Sequence, residues 1–140
     1  FLSEDGTKDQ YMRGLPDDIK ETIGPENYTV DWYIMSQPGR VAMQKALNID
    51  YRNNIALFLK IQEYLKEHQP PALIIWGKYD AYFEIEEAYC YHRDLRDSEL
   101  HIVEGGHKAL ETNFHEVRDF VAEFMGKISP PLVRASRSYP

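Results

Sequence analysis

The sequence predicts a mixed α/β protein, helical in its first half and alternating strand with helix in its second. Three observations carry that reading. Ala72–Trp76 is a short unbroken apolar run between Pro70-Pro71 and Gly77, the pattern of a strand buried on both faces of a parallel sheet. Glu99–Val103 is a second strand-like run, with a plausible helix from Glu84 to about Leu95 between the two. Val117, Phe120, Val121 and Phe124 then fall at i, i+3, i+4 and i+7, one face of a closing helix. Strand, helix, strand, helix in that order implies a right-handed parallel crossover.

The elements follow in order. From Phe1 to about Asp50 the chain is rich in turn and cap signals: Gly6, Gly14, Pro16, Gly24-Pro25 and Pro38-Gly39. Short helices joined by loops are expected there. Pro16-Asp17-Asp18 opens one with acids near its positive end. Pro25 to Met35 carries Val30, Tyr33 and Ile34 at helical spacing, and Arg40 to Leu47 carries Val41, Ala42 and Ala46. The strongest helix runs from Asp50 to Gln69 and is stopped by Pro70-Pro71. Its apolar positions wrap most of the circumference over Ile55–Leu59, so burial on most sides is expected. Asn113 with Glu116 three residues on predicts a capping box for the last helix. The tail after Lys127, with Pro130-Pro131, is expected to be frayed or weakly packed. There is no internal repeat and no low-complexity tract.

Composition narrows the classes of function. A chain of 140 residues has the length of one domain, and a domain near that size buries roughly 70% of its unfolded surface. Apolar residues at 43% and charged residues at 28% argue against disorder. The longest aliphatic or aromatic runs, Ile55–Leu59 and Ala72–Trp76, fall far short of the about 20 residues of a membrane span. Sixteen basic against 23 acidic residues give a net charge of −7 with no basic run. A nucleic-acid partner is therefore not expected, since phosphate binding needs a basic face. The one cysteine, Cys90, cannot form an internal disulfide, so a reducing, cytoplasmic compartment is the expectation. Phe1–Gln10 is acidic and polar, unlike a signal peptide, and the first residue is not Met.

Chemistry in a parallel sheet gathers at the carboxyl ends of the strands. Asp80 lies four residues after Trp76, and His107 four after Val103, behind Gly105-Gly106. If the strands are parallel neighbours, both loops emerge on one edge and the two side chains can meet. A carboxylate beside an imidazole fixes its tautomer and stabilises the imidazolium formed during proton transfer. The paired glycines would allow a tight backbone approach. Spacing alone leaves open that Asp80 is only a turn residue and His107 a solvated loop residue.

These segments resemble a known family. Pro71-Ala72-Leu73-Ile74-Ile75-Trp76-Gly77-Lys78-Tyr79-Asp80 is similar to the acid-bearing strand and turn of α/β-fold hydrolases. Arg93 to Val103 resembles their last strand with its lead-in, and Gly106-His107-Lys108-Ala109-Leu110-Glu111 their catalytic histidine motif. The nearest branch is the haloalkane dehalogenase and epoxide hydrolase-like group. Asp50-Tyr51-Arg52-Asn53-Asn54 and the upstream Trp32…Gln37-Pro38-Gly39 resemble its cap region and the helix returning to the core. The resemblance runs from about Asp5 to Met125. It implies the C-terminal part of an α/β-hydrolase fold: a helical cap segment over 1–50, the last two parallel strands and their helices over 51–127, and a tail over 128–140.

By this resemblance Asp80 is the triad acid and His107 the general base. Lys108 stands where the family usually has an aromatic that lines the pocket. Cap tyrosines polarise the epoxide oxygen in epoxide hydrolases, which makes Tyr28, Tyr33 and Tyr51 substrate-binding candidates together with Lys108, against packing as the alternative. No metal or organic cofactor is implied. The nucleophile elbow is absent: no Gly-x-Ser-x-Gly or Gly-x-Asp-x-Gly occurs, and no His-Gly-type oxyanion segment. A base then has nothing to activate within the chain. The expectation is a C-terminal portion of a longer hydrolase of small, largely apolar substrates (ester, epoxide or haloalkane type), inactive alone. Two alternatives stay open: a non-catalytic module completed by a partner chain, and a small complete α/β domain with coincidental motifs.

Other features carry blander readings. His107, Glu111 and His115 are spaced i, i+4, i+8, as in a helical metal site, but a helix starting at the Asn113 cap would break the shared face, and no metal site is expected. Asp50-Tyr51-Arg52 reads as a helix-terminal carboxylate with a nearby arginine, and Glu84-Ile85-Glu86-Glu87 as a solvated first turn. Cys90 is expected to be a small buried hydrophobe.

Overall fold

A computed structural model describes residues 2–128; the expectation for the tail, Pro130-Pro131 included, lies outside them. Five helices come first: α1 (Glu4–Met12), α2 (Asp17–Lys20), α3 (Pro25–Met35), α4 (Arg40–Asp50) and α5 (Arg52–His68). Then follow β1 (Ala72–Gly77), α6 (Ile85–Asp94), β2 (Ser98–Val103), α7 (Ala109–Thr112) and α8 (Phe114–Ile128). The two strands pair in parallel, from Ala72 opposite Ser98 to Gly77 opposite Val103. The mixed α/β class is therefore as the alternation of patterns predicts.

Each boundary has a local cause. Ser3 caps α1: its Oγ accepts the Gly6 N–H at 3.1 Å, and Glu4 and Asp5 occupy the positive first turn. Pro25 sits at the start of α3, where its missing N–H costs nothing. Gln69 ends α5 in the left-handed region at φ 46°. Its side-chain amide then works as a junction. Nε2 donates to the Asp94 carbonyl at 2.9 Å and Oε1 accepts the Arg96 N–H at 2.9 Å, tying the end of α5 to the end of α6. Asn113 precedes α8, but its Oδ1 accepts the Thr112 hydroxyl at 2.9 Å rather than closing the expected box with Glu116.

Helix α6 packs on both strands and α8 packs on β1. His101 of β2 stacks on Phe120 of α8, ring centroids 3.8 Å apart, and Lys127 of α8 reaches Glu99 of β2 at 3.0 Å. Side chains alternate along a strand, so Glu99, His101 and Val103 share the face covered by α8. Ala88, Leu95, Val103 and Val117 are buried around this layer. A second core joins Tyr11, Leu15 and Ile23 with Met12, Ile19, Tyr28 and Tyr79. It fastens the opening helices to the loop after β1.

Two expectations are corrected. The apolar girth of α5 does not bring burial: Ile55 is 57% exposed and Leu59 73%, with Leu57, Phe58 and Ile61 also exposed. Its main packing partners are its neighbours α4 and α6, and they leave these side chains exposed. Cys90 is exposed as well; the residue of α6 turned fully into the core is Ala88. Among the described residues no helix is long and apolar enough to cross a membrane.

The closest packing lies where the strands end. A Cβ on Gly77 would stand 2.3 Å from the Gly106 carbonyl oxygen and 2.8 Å from that of Gly105. Both obstacles are backbone and cannot swing away. Gly77→Ala should therefore lower stability by about 2 kcal/mol in urea unfolding. A loss under about 0.5 kcal/mol, the scale of a surface substitution, would show that this approach is not rigid.

Candidate active site

Beyond the last strand pair the backbone keeps pairing. The Lys78 N–H donates to the Val103 carbonyl at 2.9 Å, and the Tyr79 N–H to the Gly105 carbonyl at 2.9 Å. The loop after β1 and the loop after β2 are thus held side by side at one sheet edge. Outside them Glu104 accepts from Lys78 at 2.6 Å and from the Tyr79 hydroxyl at 2.5 Å. Screened by solvent, that exposed pair contributes little to stability.

Asp80 and His107 meet at this edge. His107 Nδ1 lies 3.1 Å from Asp80 Oδ2. The Asp80 side chain is 9% exposed and that of His107 21%. Asp80 Oδ1 accepts two backbone N–H groups, from Tyr82 at 2.8 Å and Phe83 at 3.1 Å. These bonds fix the plane of the carboxylate and aim its second oxygen at the imidazole. An ionised carboxylate only accepts, so Nδ1 carries the proton of this bond. Nε2 has no hydrogen-bond partner among the described residues, and its lone pair is available to take a proton. The ring is held by Tyr82, centroids 4.7 Å apart, and Phe83, at 5.5 Å.

A second polar cluster lies behind the histidine loop. The Tyr11 hydroxyl bonds Asp31 Oδ2 at 2.8 Å and Glu111 Oε2 at 3.1 Å. One phenolic proton is shared between two carboxylates, joining α1, α3 and α7. The Lys108 ammonium stands 5.3 Å from the Tyr11 ring centroid, which offsets part of the negative charge. Tyr11 is 2% exposed. Burial first, then the Asp31 and Glu111 carboxylates, raise its hydroxyl well above the ordinary phenol range.

The substrate-binding candidates are spread out. Tyr28 packs edge-on against Tyr11, centroids 6.1 Å apart, with the Lys8 ammonium over its ring. Lys108 follows His107 directly but leans over Tyr11. Tyr33, 68% exposed on α3, and Tyr51, half-exposed between α4 and α5, make no hydrogen bond or ring contact with the Asp80–His107 pair among the described residues. The i, i+4, i+8 spacing of His107, Glu111 and His115 does not form one face, since α7 ends at Thr112 and α8 starts at Phe114. Among the described residues no three His, Cys, Asp or Glu side chains stand together as a metal would need.

Sequence reasoning missed Asp9, Tyr11, Asp31 and Tyr82. Asp9 and Tyr11 belong to α1, a mostly polar helix whose buried residues, Thr7 and Tyr11, are four apart. Only that single i, i+4 pair could have signalled it.

No family model matches the chain, and no solved structure does. An uncharacterized hydrolase of Saccharomyces cerevisiae is 34% identical over 104 residues, covering 74% of this chain and 35% of the yeast protein. The chain spans about a third of the length of that relative, and the likeness it has is to a hydrolase.

The Tyr11 cluster makes a testable demand on stability. Tyr11→Phe should cost about 2 kcal/mol at neutral pH, because two carboxylates lose their shared donor. The native chain should also lose stability above about pH 10, where the unfolded phenol ionises while the folded one keeps its proton. The variant should lack that part of the loss. Urea midpoints at neutral pH and near pH 10.5 check both; parallel curves for the two proteins would contradict the assignment.

Proposed function

We propose that the chain carries the acid and the general base of an α/β-fold hydrolase, with the nucleophile on residues outside it. The single observation that supports this most is the Asp80–His107 pair. Its carboxylate is held by two backbone N–H groups, its imidazole is hydrogen-bonded through Nδ1, and Nε2 is left open. The resemblance to an uncharacterized yeast hydrolase supports the same reading. So does the sequence likeness of both loops to the acid and histidine motifs of that superfamily.

In this reading an outside Ser or Asp attacks a small, largely apolar substrate of ester, epoxide or haloalkane type. A Ser oxygen adds to an ester carbonyl as His107 Nε2 takes its hydroxyl proton, which then passes to the leaving alcohol and leaves an acyl ester. An Asp carboxylate instead opens the epoxide, whose alkoxide takes a proton from solvent, or displaces halide, leaving an alkyl ester. His107 Nε2 then takes a proton from water while the oxygen of that water adds to the ester carbonyl. The imidazolium faces Asp80, which stabilises it without taking its proton. Collapse of the adduct breaks the ester C–O bond, and the His107 proton goes to the departing oxygen, that of the regenerated Ser or that of the product alcohol. The carboxylic acid left behind, product acid or Asp, gives its proton to solvent. Residues 1–50 form the cap segment and 51–127 the core segment. The Tyr11, Tyr28 and Lys108 cluster behind the histidine loop gives the cap a fixed seat on the core.

A second reading, an interaction module completed by a partner chain, is favoured by one observation. The apolar side chains of α5 are exposed, and β1 and β2 pair only with each other among the described residues. Each strand so leaves an edge that can accept another. Light scattering on the purified chain separates the two readings: an obligate oligomer would favour the module.

The hydrolase reading predicts no His107-dependent turnover of ester, epoxide or haloalkane probes by the chain alone. Joined to the residues of the yeast relative that lie outside the matched stretch, it should hydrolyse at least one probe class. His107→Ala should then cut the rate by about 10²–10⁴. Turnover by the chain alone, or a joined protein indifferent to His107→Ala, would contradict the assignment.

A further inference from the structure

One residue touches both members of the pair, Asp80 through its backbone and His107 through its ring, and is itself held from a distant part of the chain. The Tyr82 N–H donates to Asp80 Oδ1 at 2.8 Å, and its ring lies 4.7 Å from the His107 ring, tilted by 46°. Its hydroxyl donates to Asp9 Oδ2 at 2.8 Å, 73 residues earlier on α1. Asp9 is paired in turn with Arg13 at 2.5 Å, and the Arg13 guanidinium covers the Tyr82 ring at 5.3 Å. Arg13 first, and then the Tyr82 hydroxyl, hold the Asp9 carboxyl below the usual range, so it accepts as an anion.

The backbone beyond α1 closes on the same loops. Gly14 has φ +83°, and a Cβ there would meet the Tyr79 carbonyl oxygen at 2.3 Å. Leu15 lies against Gly106, its Cδ2 3.1 Å from where a Cβ would stand. The segment from Asp9 to Leu15 therefore backs both the acid loop and the histidine loop. An aromatic ring beside an imidazole limits its rotation only if the ring is itself anchored. The Tyr82 ring lies between the His107 ring and the Arg13 guanidinium, and the bond to Asp9 fixes its far end.

We propose that Tyr82, tethered through its hydroxyl to Asp9, is a positioning residue that holds His107 in register with Asp80. The inference rests on the hydrolase reading for its meaning, but it concerns this chain's own geometry. It assigns α1, which brings no group to the reacting atoms, the task of setting the angle of the base.

The test is proton exchange at His107 Nδ1, read by long-range proton–nitrogen NMR on the 140-residue chain. Tyr82→Phe removes one oxygen and keeps the ring. Asp9→Ala removes the acceptor and keeps a strong helix former on α1. Each should speed exchange of the Nδ1 proton with water about tenfold, as the pair opens more often. The double variant should add little further, because each single change already removes the Tyr82–Asp9 bond. A role in stability alone would lower the unfolding midpoint and leave the His107 signal unmoved. Exchange within about twofold of native in both folded single variants would overturn the proposal while leaving the Asp80–His107 pair intact. A native chain whose His107 carries its proton on Nε2 would overturn the pair and the proposal together.

Discussion

The parallel pairing of β1 with β2, continued past the strand ends, is the constraint on which the rest depends. Two backbone hydrogen bonds, Lys78 to Val103 and Tyr79 to Gly105, carry the pairing into the loops. The contact of Gly77 with the Gly106 carbonyl leaves no room for a side chain between them. With the two loops in fixed register, residues 27 apart in sequence come within hydrogen-bond distance. A one-residue slip would turn every strand side chain to the other face and would carry Asp80 away from His107. The glycine that matters most for the approach is thus the one ending β1, whereas the pair before His107 meets side chains of Leu15 and Asn113.

Around that edge the chain places charge with care for partners. Asp80 is satisfied by two backbone N–H groups and one imidazole. Asp31 and Glu111 share the Tyr11 hydroxyl, and Asp9 holds Tyr82. Buried polar groups are costly when unpaired, and among the described residues no buried side-chain nitrogen or oxygen lacks a partner. The two tyrosines do similar work by different routes. Tyr11 ties the opening helices to α7 behind the histidine loop, and Tyr82 ties them to the acid loop in front of it. An acidic opening helix so becomes part of the support of an imidazole more than 90 residues away.

Local patterns made the second half of the chain legible. Both strands, α6, α8 and the meeting of Asp80 with His107 follow from apolar runs, turn residues and the rule that parallel strands present their carboxyl ends together. Helices α3, α4 and α5 were legible as elements. What escaped was what depends on distant partners. Helix α1 is polar except for one buried pair, so no periodic apolar stripe marks it. Tyr82 gains its place from Asp9, and no local pattern around either residue signals the other. The exposure of α5 contradicts its apolar girth because periodicity reports which faces would be buried and does not supply the neighbour that buries them. Cys90 differs for a related reason: α6 has one face against the sheet, and Ala88 occupies it.

The chemistry proposed for this edge needs one property of His107 above all: the proton on Nδ1, facing Asp80, and a bare Nε2. Long-range proton–nitrogen correlation on the native chain, at a pH where the imidazole is neutral, reads that property directly. A protonated Nδ1 coupled to the Asp80 carboxylate is expected, with Asp80→Asn abolishing the preference. An Nε2–H tautomer in the native chain, or a tautomer indifferent to Asp80→Asn, would contradict it.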